Sequence, residues 1–370
     1  MTLFLIMLYG TLGVIFLIAL YNALTAPLVT NGPAPVAKPL VSILVPARNE
    51  ERNIQTCLAS LCAQAYDHLE IIVLDDHSRD DTAAMVKAYA GIDARIHLVE
   101  GESLPAGWTG KNWACHQLSR RAQGDILIFT DADNFYTPEA VSRSVGWIEK
   151  LDLALLSAFP QQITVTLAEK LIVPVYDLFV YALLPLRLTY SLPHASLSAA
   201  NGQWMAFTRD GYHAVGGHAA VRSQVVEDTA LSRRAKRLGF KTLTASGRDA
   251  VMGRMYHNWR EVWYGFAKNA FGLMEYKTVP FFLFLAFLFF VFVLPFILIW
   301  NPVFFPWMWP AVIINLALRL MLALKFKQPL VAGVLLHPLG IVLTILVGWT
   351  SFYYYLLGNI VWKDRQVPLR

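Results

Sequence analysis

The sequence predicts an α/β domain with a mostly parallel sheet, carried by a chain with membrane helices at both ends. Three observations predict it. Strand-like apolar runs alternate with helix-like stretches from Leu40 onward, the pattern of βαβ units with right-handed crossovers. Only 15% of the 370 residues are charged and 56% are hydrophobic, with a mean hydropathy of +0.45, whereas soluble chains carry about 25% charged residues. Acidic pairs close two of the strand-like runs, at Asp75 and Asp76 and at Asp131 and Asp133.

The run from Leu3 to Leu24 is apolar apart from a few small polar or amphipathic residues, and the first charged side chain is Lys38. At about 20 residues per crossing, it is long enough to span a bilayer. It lacks the basic start and clean small-residue cleavage site of a signal peptide, so residues 1–28 are expected to be an uncleaved anchor. Lys38, Arg48 and Arg52 follow, and the bias of basic residues toward the cytoplasm places the next region on that side of the inner membrane. Cys57, Cys62 and Cys115 show neither disulfide pairing logic nor CxxC spacing, which predicts reduced thiols. The net charge of +5 is dispersed and accompanies no nucleic-acid-binding pattern, so the expected basic-patch partner is anionic lipid and not nucleic acid.

Residues 29–39 contain "TNGPAPVAKP" and read as a linker. The domain at 40–278 then opens with "LVSILVPA" as a buried strand, Glu50 to Ala63 as a helix, "LEIIVLDD" as a strand and Thr82 to Ala90 as a helix. "RIHLVEG" reads as a short strand, Lys111 to Ala122 as a helix and "DILIFTDAD" as the next strand. The stretch 167–192 is strongly apolar yet interrupted by Pro174, Asp177, Pro185 and Arg187, which predicts an interfacial segment; a buried helix pair is the alternative. After Lys277 come an uncharged span from Val279 to Trp300, a second from Val303 to Leu324 despite Arg319, and about thirty residues from Pro329 to Gly358. That last piece exceeds one vertical crossing and fits either a tilted span or a re-entrant turn near Pro338 and Gly340. The membrane cluster is thus expected at 279–361, with a tail at 362–370.

In open α/β sheets ligands gather at the carboxyl ends of the strands, where Asp75, Asp76, Asp131 and Asp133 stand. Two hard carboxylates such as Asp131 and Asp133 suit Mg2+ or Mn2+ with a diphosphate as further ligand, although the pair alone also fits a solvated loop. A carboxylate in "VLDDHSRDDT" can accept a uracil N–H, while Ser78 or Thr82 can cap the following helix. "VVEDTAL" brings Glu227 and Asp228 to the start of the basic helical stretch "LSRRAKRLG". There they complement a helix dipole, or Asp228 serves as a general base toward a hydroxyl. No glycine-rich phosphate loop of the dehydrogenase or P-loop type is present, and the histidines lack metal-ligand spacing.

Together these residues resemble the inverting family 2 glycosyltransferases of the GT-A fold. "VSILVPARNEERNI" is similar to that family's nucleotide-binding strand and loop, "VLDDHSRDDT" to its uridine motif, "FTDAD" to its metal motif and "VVEDTALSRRAKRLGFK" to its base-bearing motif. The match covers about Val41 to Phe271, with the motifs in the family's order. The resemblance implies Ala47, Glu50, Asp75 and Asp76 at the nucleotide, Asp131 and Asp133 at diphosphate and metal, and Asp228 as base. It also implies Lys111, in "GWTGKNWACHQ", facing the donor, and Glu227 beside the base. Gly202 and Gln203, in "SAANGQWMAFTRDGYHAVGGH", are implied near the acceptor.

Within the family the chain is most similar to membrane-bound transferases that glycosylate lipids, such as hydroxycarotenoid, hopanoid-associated and ceramide glucosyltransferases. The implied donor is a UDP-sugar, UDP-glucose first among them, and the implied acceptor is a lipid hydroxyl. Transfer to a polyprenyl phosphate, or a non-catalytic transporter or sensor, are the rival readings. A Gln-x-x-Arg-Trp motif, frequent in membrane synthases of the family, is replaced here by "RMYHNWREVWYGFAKN". Arg260 and Trp263 are the candidates to stand in for it near the diphosphate and acceptor. Trp259, Trp263, Tyr264 and Phe266 otherwise form an aromatic interface belt.

Overall fold

The computed structural model describes residues 1–358 and the backbone of 361, 362, 365 and 366. The remainder of the expected tail at 362–370 lies outside the described residues. The chain divides into two compact units: one comprises residues 27–161 and 186–255, the other residues 1–26, 162–185 and 256–369. The stretch 167–192 is therefore shared between them.

The first unit is built on strands β1 (Val41–Ala47), β2 (Leu69–Asp75), β3 (Ile96–Glu100), β4 (Ile126–Phe129), β5 (Asn134–Tyr136), β6 (Leu155–Phe159), β7 (Gln161–Gln162), β8 (Met205–Thr208), β9 (Thr242–Ser246) and β10 (Val251–Gly253). Its main sheet has seven strands in the order β3-β2-β1-β4-β8-β6-β9. The pairs β2/β3, β1/β2, β1/β4 and β6/β9 are parallel, and β8 runs antiparallel between β4 and β6. The continuous apolar runs in β1, β2 and β4 follow from burial on both faces. Successive side chains point to opposite faces, so Ile43 and Val45 pack with Ile71, Val73 and Ile128 on one side, while Leu44 packs with Ile72, Leu74 and Leu127 on the other. The Ile54–Cys62 and Ala140–Leu151 helices supply Leu58 and Val145 to the first core; the Gly110–Arg121 and Glu227–Arg237 helices supply Leu118 and Leu231 to the second. All three cysteines are free, and Cys57 and Cys115 are buried.

One predicted boundary moves. The helix expected from Glu50 begins only at Ile54, because Asn49 takes a left-handed φ of 52° and the N–H groups after it are engaged elsewhere. Asn49 N donates to Ser78 Oγ at 2.9 Å and Glu50 N to Thr82 Oγ1 at 2.8 Å. The expected helix cap by Ser78 or Thr82 is corrected by the same bonds. Those hydroxyls fasten the 49–50 loop, and the Thr82–Ala90 helix has no side-chain cap.

Among the described residues of the second unit three helices are long and apolar enough to cross a membrane: Thr2–Thr25, Phe305–Phe326 and His337–Leu357. Leu3, Ile6, Leu17 and Leu24 on the first are exposed, as are Ile313 and Leu324 on the second and Leu346 and Leu356 on the third. Outward apolar faces of this kind are what lipid would cover. The single span expected from Val279 to Trp300 is broken. Thr278–Phe292 has 15 residues, about 22 Å at helical rise, and a new short helix, Leu294–Leu298, starts beyond Val293. Pro295 explains the break, since it lacks an N–H and its ring crowds the carbonyl four residues back. With Trp259–Met274, the Thr278–Phe292 helix forms a pair bent by 117°, a broken span or a re-entrant loop. Before the third long helix, Val331–Leu335 forms one π-helical turn. Pro338 sits in the first turn of His337–Leu357, where its missing N–H is harmless.

Leu167–Leu183 is also a helix of this unit, with a capping box between Thr166 and Glu169 and with Leu171, Ile172, Val175 and Leu178 buried. Arg319 is fully buried, and each of its nitrogens donates to protein: Nε to Gly333 O at 2.9 Å, Nη1 to Pro174 O at 3.1 Å and Nη2 to Gln328 Oε1 at 3.1 Å. Gln328 in turn donates to Asp177 Oδ2 at 3.2 Å. An arginine among apolar helices is stable only when so paired. Phe266, expected as part of an aromatic belt, is buried and stacks on Tyr176 with centroids 3.8 Å apart. Gly340 marks a close helix approach, because a Cβ there would stand 2.4 Å from Leu171 O. Gly340→Ala is expected to destabilise the protein by about 1–3 kcal/mol through forced separation of the two helices. An unchanged Tm in detergent would contradict so tight a contact.

Candidate functional site

Three strand ends and one helix start assemble the site. At the end of β2, Asp75 Oδ2 accepts from Ser78 N at 3.1 Å. Asp76 is buried, and its N–H donates to Ala47 O at 2.8 Å. Arg48 Nη1 donates to Asp76 O at 2.6 Å. The loops after β1 and β2 are thus one hydrogen-bonded body, and they bring Ala47, Glu50, Asp75 and Asp76 together.

At the end of β4, Thr130 is buried and anchors the turn that carries Asp131 and Asp133. Its hydroxyl pairs with Tyr136 OH and donates to Gln203 O at 2.6 Å. Asn134 Nδ2 donates to the same carbonyl at 2.9 Å, and Gln203 Nε2 donates back to Asn134 Oδ1 at 2.9 Å. Gln203 is only 3% exposed, so its amide holds two loops together from beneath. Gly253 completes the packing: a Cβ there would lie 2.2 Å from Asn134 Oδ1.

Gly202 and the start of the Glu227–Arg237 helix face this turn. Gly202 N donates to Asp228 Oδ2 at 2.9 Å, and Thr229 N donates to Asp228 Oδ1 at 2.6 Å. Burial, reinforced by the neighbouring Glu227 carboxylate and opposed by Lys111 and these two N–H groups, pushes the Asp228 carboxyl up to about 7. The Lys111 ammonium stands between two acids, 2.8 Å from Asp131 Oδ1 and 3.3 Å from Glu227 Oε1. Its side chain is 37% exposed and that of Glu227 is 9% exposed. Burial works against the lysine's charge, but Asp131 and Glu227 together hold its pKa well above the usual value.

Two residues that help fix this geometry, Asn112 and His218, lie inside the quoted stretches but have no role assigned from the sequence. Asn112 is fully buried, and its amide donates to Val221 O at 2.9 Å, Arg222 O at 3.2 Å and Gln224 O at 2.9 Å. It ties the loop before Glu227 to the helix that carries Lys111. An asparagine in the first turn of a helix, a poor helix former with a side chain able to bond nearby backbone, is the signal that could have found it. His218 is buried against Phe129 at 4.7 Å and pairs through Nδ1 with Tyr212 OH at 2.8 Å. Burial, with Lys111 nearby, pushes its imidazole down to about 3, so at neutral pH it is an uncharged wall of the cleft.

Among the described residues no group of three or more His, Cys, Asp or Glu side chains is placed to hold a metal. The donor set at the end of β4 still fits one. Mg2+ commonly takes one or two protein carboxylates and completes its shell with phosphate oxygens and water, and the turn already holds a cation, the Lys111 ammonium on Asp131. Arg260 and Trp263 belong to the second unit, on the Trp259–Ala270 helix. Arg260 lies over the Tyr264 ring at 5.8 Å, and Trp263 stacks on Trp259 at 6.0 Å.

The described residues thus combine a mostly parallel sheet with acidic turns at the carboxyl ends of its strands, an acid-bearing helix start and long apolar helices. Residues 42–192 match the family model described as glycosyl transferase family 2, and the fold is GT-A. A mannosyltransferase from Pyrobaculum calidifontis, solved in complex with GDP-Man and Mn2+, shares that fold at a TM-score of 0.59 and 18% identity, over 95% of this chain and 98% of its own.

More particularly, the chain resembles carotenoid-type glycosyltransferases. It is 28% identical over 226 residues to a protein of Staphylococcus haemolyticus (strain JCSC1435) named 4,4'-diaponeurosporenoate glycosyltransferase, covering 58% of this chain and 56% of that one. It is 32% identical over 111 residues to the putative teichuronic acid biosynthesis glycosyltransferase TuaG of Bacillus subtilis (strain 168), covering 30% of this chain and 42% of that one. The chain spans about half the length of these curated relatives.

Proposed function

We propose that this protein is a membrane-bound, inverting glycosyltransferase. It moves a hexose, glucose first among the candidates, from a UDP-sugar to the hydroxyl of a lipid of the carotenoid, hopanoid or ceramide-like kind. The observation that carries this reading is the Asp228 carboxylate. It is oriented by Gly202 N–H and Thr229 N–H, raised to about 7, and sits across Glu227 and Lys111 from the Asp131 turn. A base poised near neutral pH is what proton abstraction from an alcohol needs.

The reaction is a single displacement. The acceptor oxygen bonds to the anomeric carbon as the bond from that carbon to the diphosphate breaks with its electron pair. The acceptor proton passes to Asp228, and the anomeric configuration inverts. Ala47, Glu50, Asp75 and Asp76 bind the nucleoside, and Lys111 offsets charge near the diphosphate. Gly202 and Gln203 line and brace the acceptor side, and Glu227 adds to the burial that raises Asp228. A divalent cation, Mg2+ or Mn2+, held by Asp131 and Asp133 would neutralise charge on the departing nucleoside diphosphate. The long apolar helices support a membrane location, and Lys38, Arg48 and Arg52 after the first of them support a cytoplasmic catalytic unit at the inner membrane, with the lipid hydroxyl supplied from the bilayer.

Because burial raises the Asp228 carboxyl to about 7, the base carries its proton below that pH and is free above it. The expected profile of kcat/KM therefore climbs through about pH 7 and levels off on the alkaline side. A flat profile from pH 5 to 8 would remove Asp228 from the role of base. The direct test incubates purified full-length protein with UDP-glucose, other UDP-sugars and GDP-mannose in the presence of host lipid extract, with products weighed by mass spectrometry. A lipid gaining one hexose from a UDP-sugar supports the reading; hydrolysis alone, or gain only on a polyprenyl phosphate, counts against it.

A further inference from the structure

We propose that Lys111 is the built-in counter-ion of the donor site, competing with the divalent metal for Asp131. The inference rests on the reading of Asp131 and Asp133 as metal ligands and adds what holds the acidic site together before donor and metal arrive. Asp131 and Asp133 lie in the turn after β4, and Glu227 and Asp228 in the first turn of the Glu227–Arg237 helix. The Lys111 ammonium bridges two of them, at 2.8 Å to Asp131 and 3.3 Å to Glu227.

The chain makes specific room for this ammonium. A Cβ on Gly202 would lie 2.8 Å from Lys111 Nζ and 3.3 Å from Glu227 Oε1, so the glycine keeps open the place that the ammonium fills. The lysine is also held at its base. Thr109 Oγ1 caps its helix, Thr109 N donates to Arg222 O at 2.9 Å, and Asn112 fastens the neighbouring loop. A cation aimed by this much surrounding structure at a proposed metal ligand is a competitor for it. When metal and diphosphate take Asp131, the ammonium stays within reach of Glu227 and of incoming phosphate oxygens. The lysine thereby couples donor arrival to the acid pair that carries the base. In the donor-free protein it also keeps the metal site weak, so that metal binds well only together with diphosphate.

The test is Mn2+ affinity without nucleotide, read by the loss of the free Mn2+ EPR signal in full-length protein in detergent, and independent of any transfer assay. Lys111→Met and Lys111→Gln are both used, so that one folded neutral variant suffices. Each is expected to bind Mn2+ about tenfold more tightly than wild type, the scale of removing one partly solvated charge. Lys111→Arg is expected to stay near wild type, and adding Asp131→Asn to Lys111→Met is expected to cancel the gain. Unchanged or weaker Mn2+ binding in the neutral variants, with UDP still tightening Mn2+ in wild type, overturns the lysine's role and leaves the metal reading standing. Absence of Mn2+ binding in wild type even with UDP overturns both.

Discussion

Asp228→Asn is expected to lower transfer by about 10²- to 10⁴-fold, the usual contribution of a positioned base, while leaving UDP binding within a few-fold of wild type. The amide is nearly isosteric, so the site should stay assembled. The change removes the charge that Gly202 N–H and Thr229 N–H now stabilise and the lone pair that accepts the proton. Calorimetric titration with UDP and single-turnover transfer separate the two effects. Near-normal turnover with a lipid alcohol would exclude Asp228 as base. Transfer to a polyprenyl phosphate that survives the substitution would show an acceptor already ionised.

Removal of divalent metal is expected to have an effect of comparable size. EDTA treatment followed by washing should abolish transfer, and Mn2+ or Mg2+ should restore it, because one lysine, Lys111 on Asp131, cannot by itself offset the added charge of the departing diphosphate. Asp133→Ala should resist rescue at metal concentrations that saturate the wild type. Asp131→Ala should also release Lys111 from its 2.8 Å contact and disturb the Glu227 side of the cleft. Full activity after exhaustive chelation would show that Lys111 and the protein dipoles neutralise the diphosphate without metal. The two experiments address opposite sides of one cleft, and Lys111 is the side chain that joins them.

The parts of this site that are legible in the sequence are those set by local chemistry. A run such as "ILIF" that ends in two carboxylates cannot continue as a buried strand, so Asp131 and Asp133 announce a turn at a strand end. Asp75 and Asp76 do the same for β2. Glu227 and Asp228 in the first turn of a basic helix are likewise visible without coordinates, and so are the low charge and long apolar runs that separate the two units.

The links between these motifs were not legible, because each spans a distance along the chain that no local pattern encodes. Asn134 and Gln203 are 69 positions apart and exchange hydrogen bonds beneath the turn after β4. Asn112 reaches carbonyls more than a hundred positions away. Asparagine and glutamine are ordinary surface residues by composition, and only a buried environment makes their amides structural. The break at Val293 is hidden from a hydropathy reading for a related reason. Hydropathy averages over a window, whereas one proline acts on one carbonyl.

Residue chemistry taken in order along the chain was enough for the α/β class, the acidic strand ends, the acid-bearing helix start and the apolar helices. The tertiary structure alone decided that Lys111 lies on Asp131 and Glu227, that Gly202 N–H orients Asp228, and that burial lifts this carboxyl to about 7. Propensity and hydropathy are properties of neighbours in sequence. Charge pairing and desolvation are properties of neighbours in space, and they exist only once the sheet has brought those strand ends together.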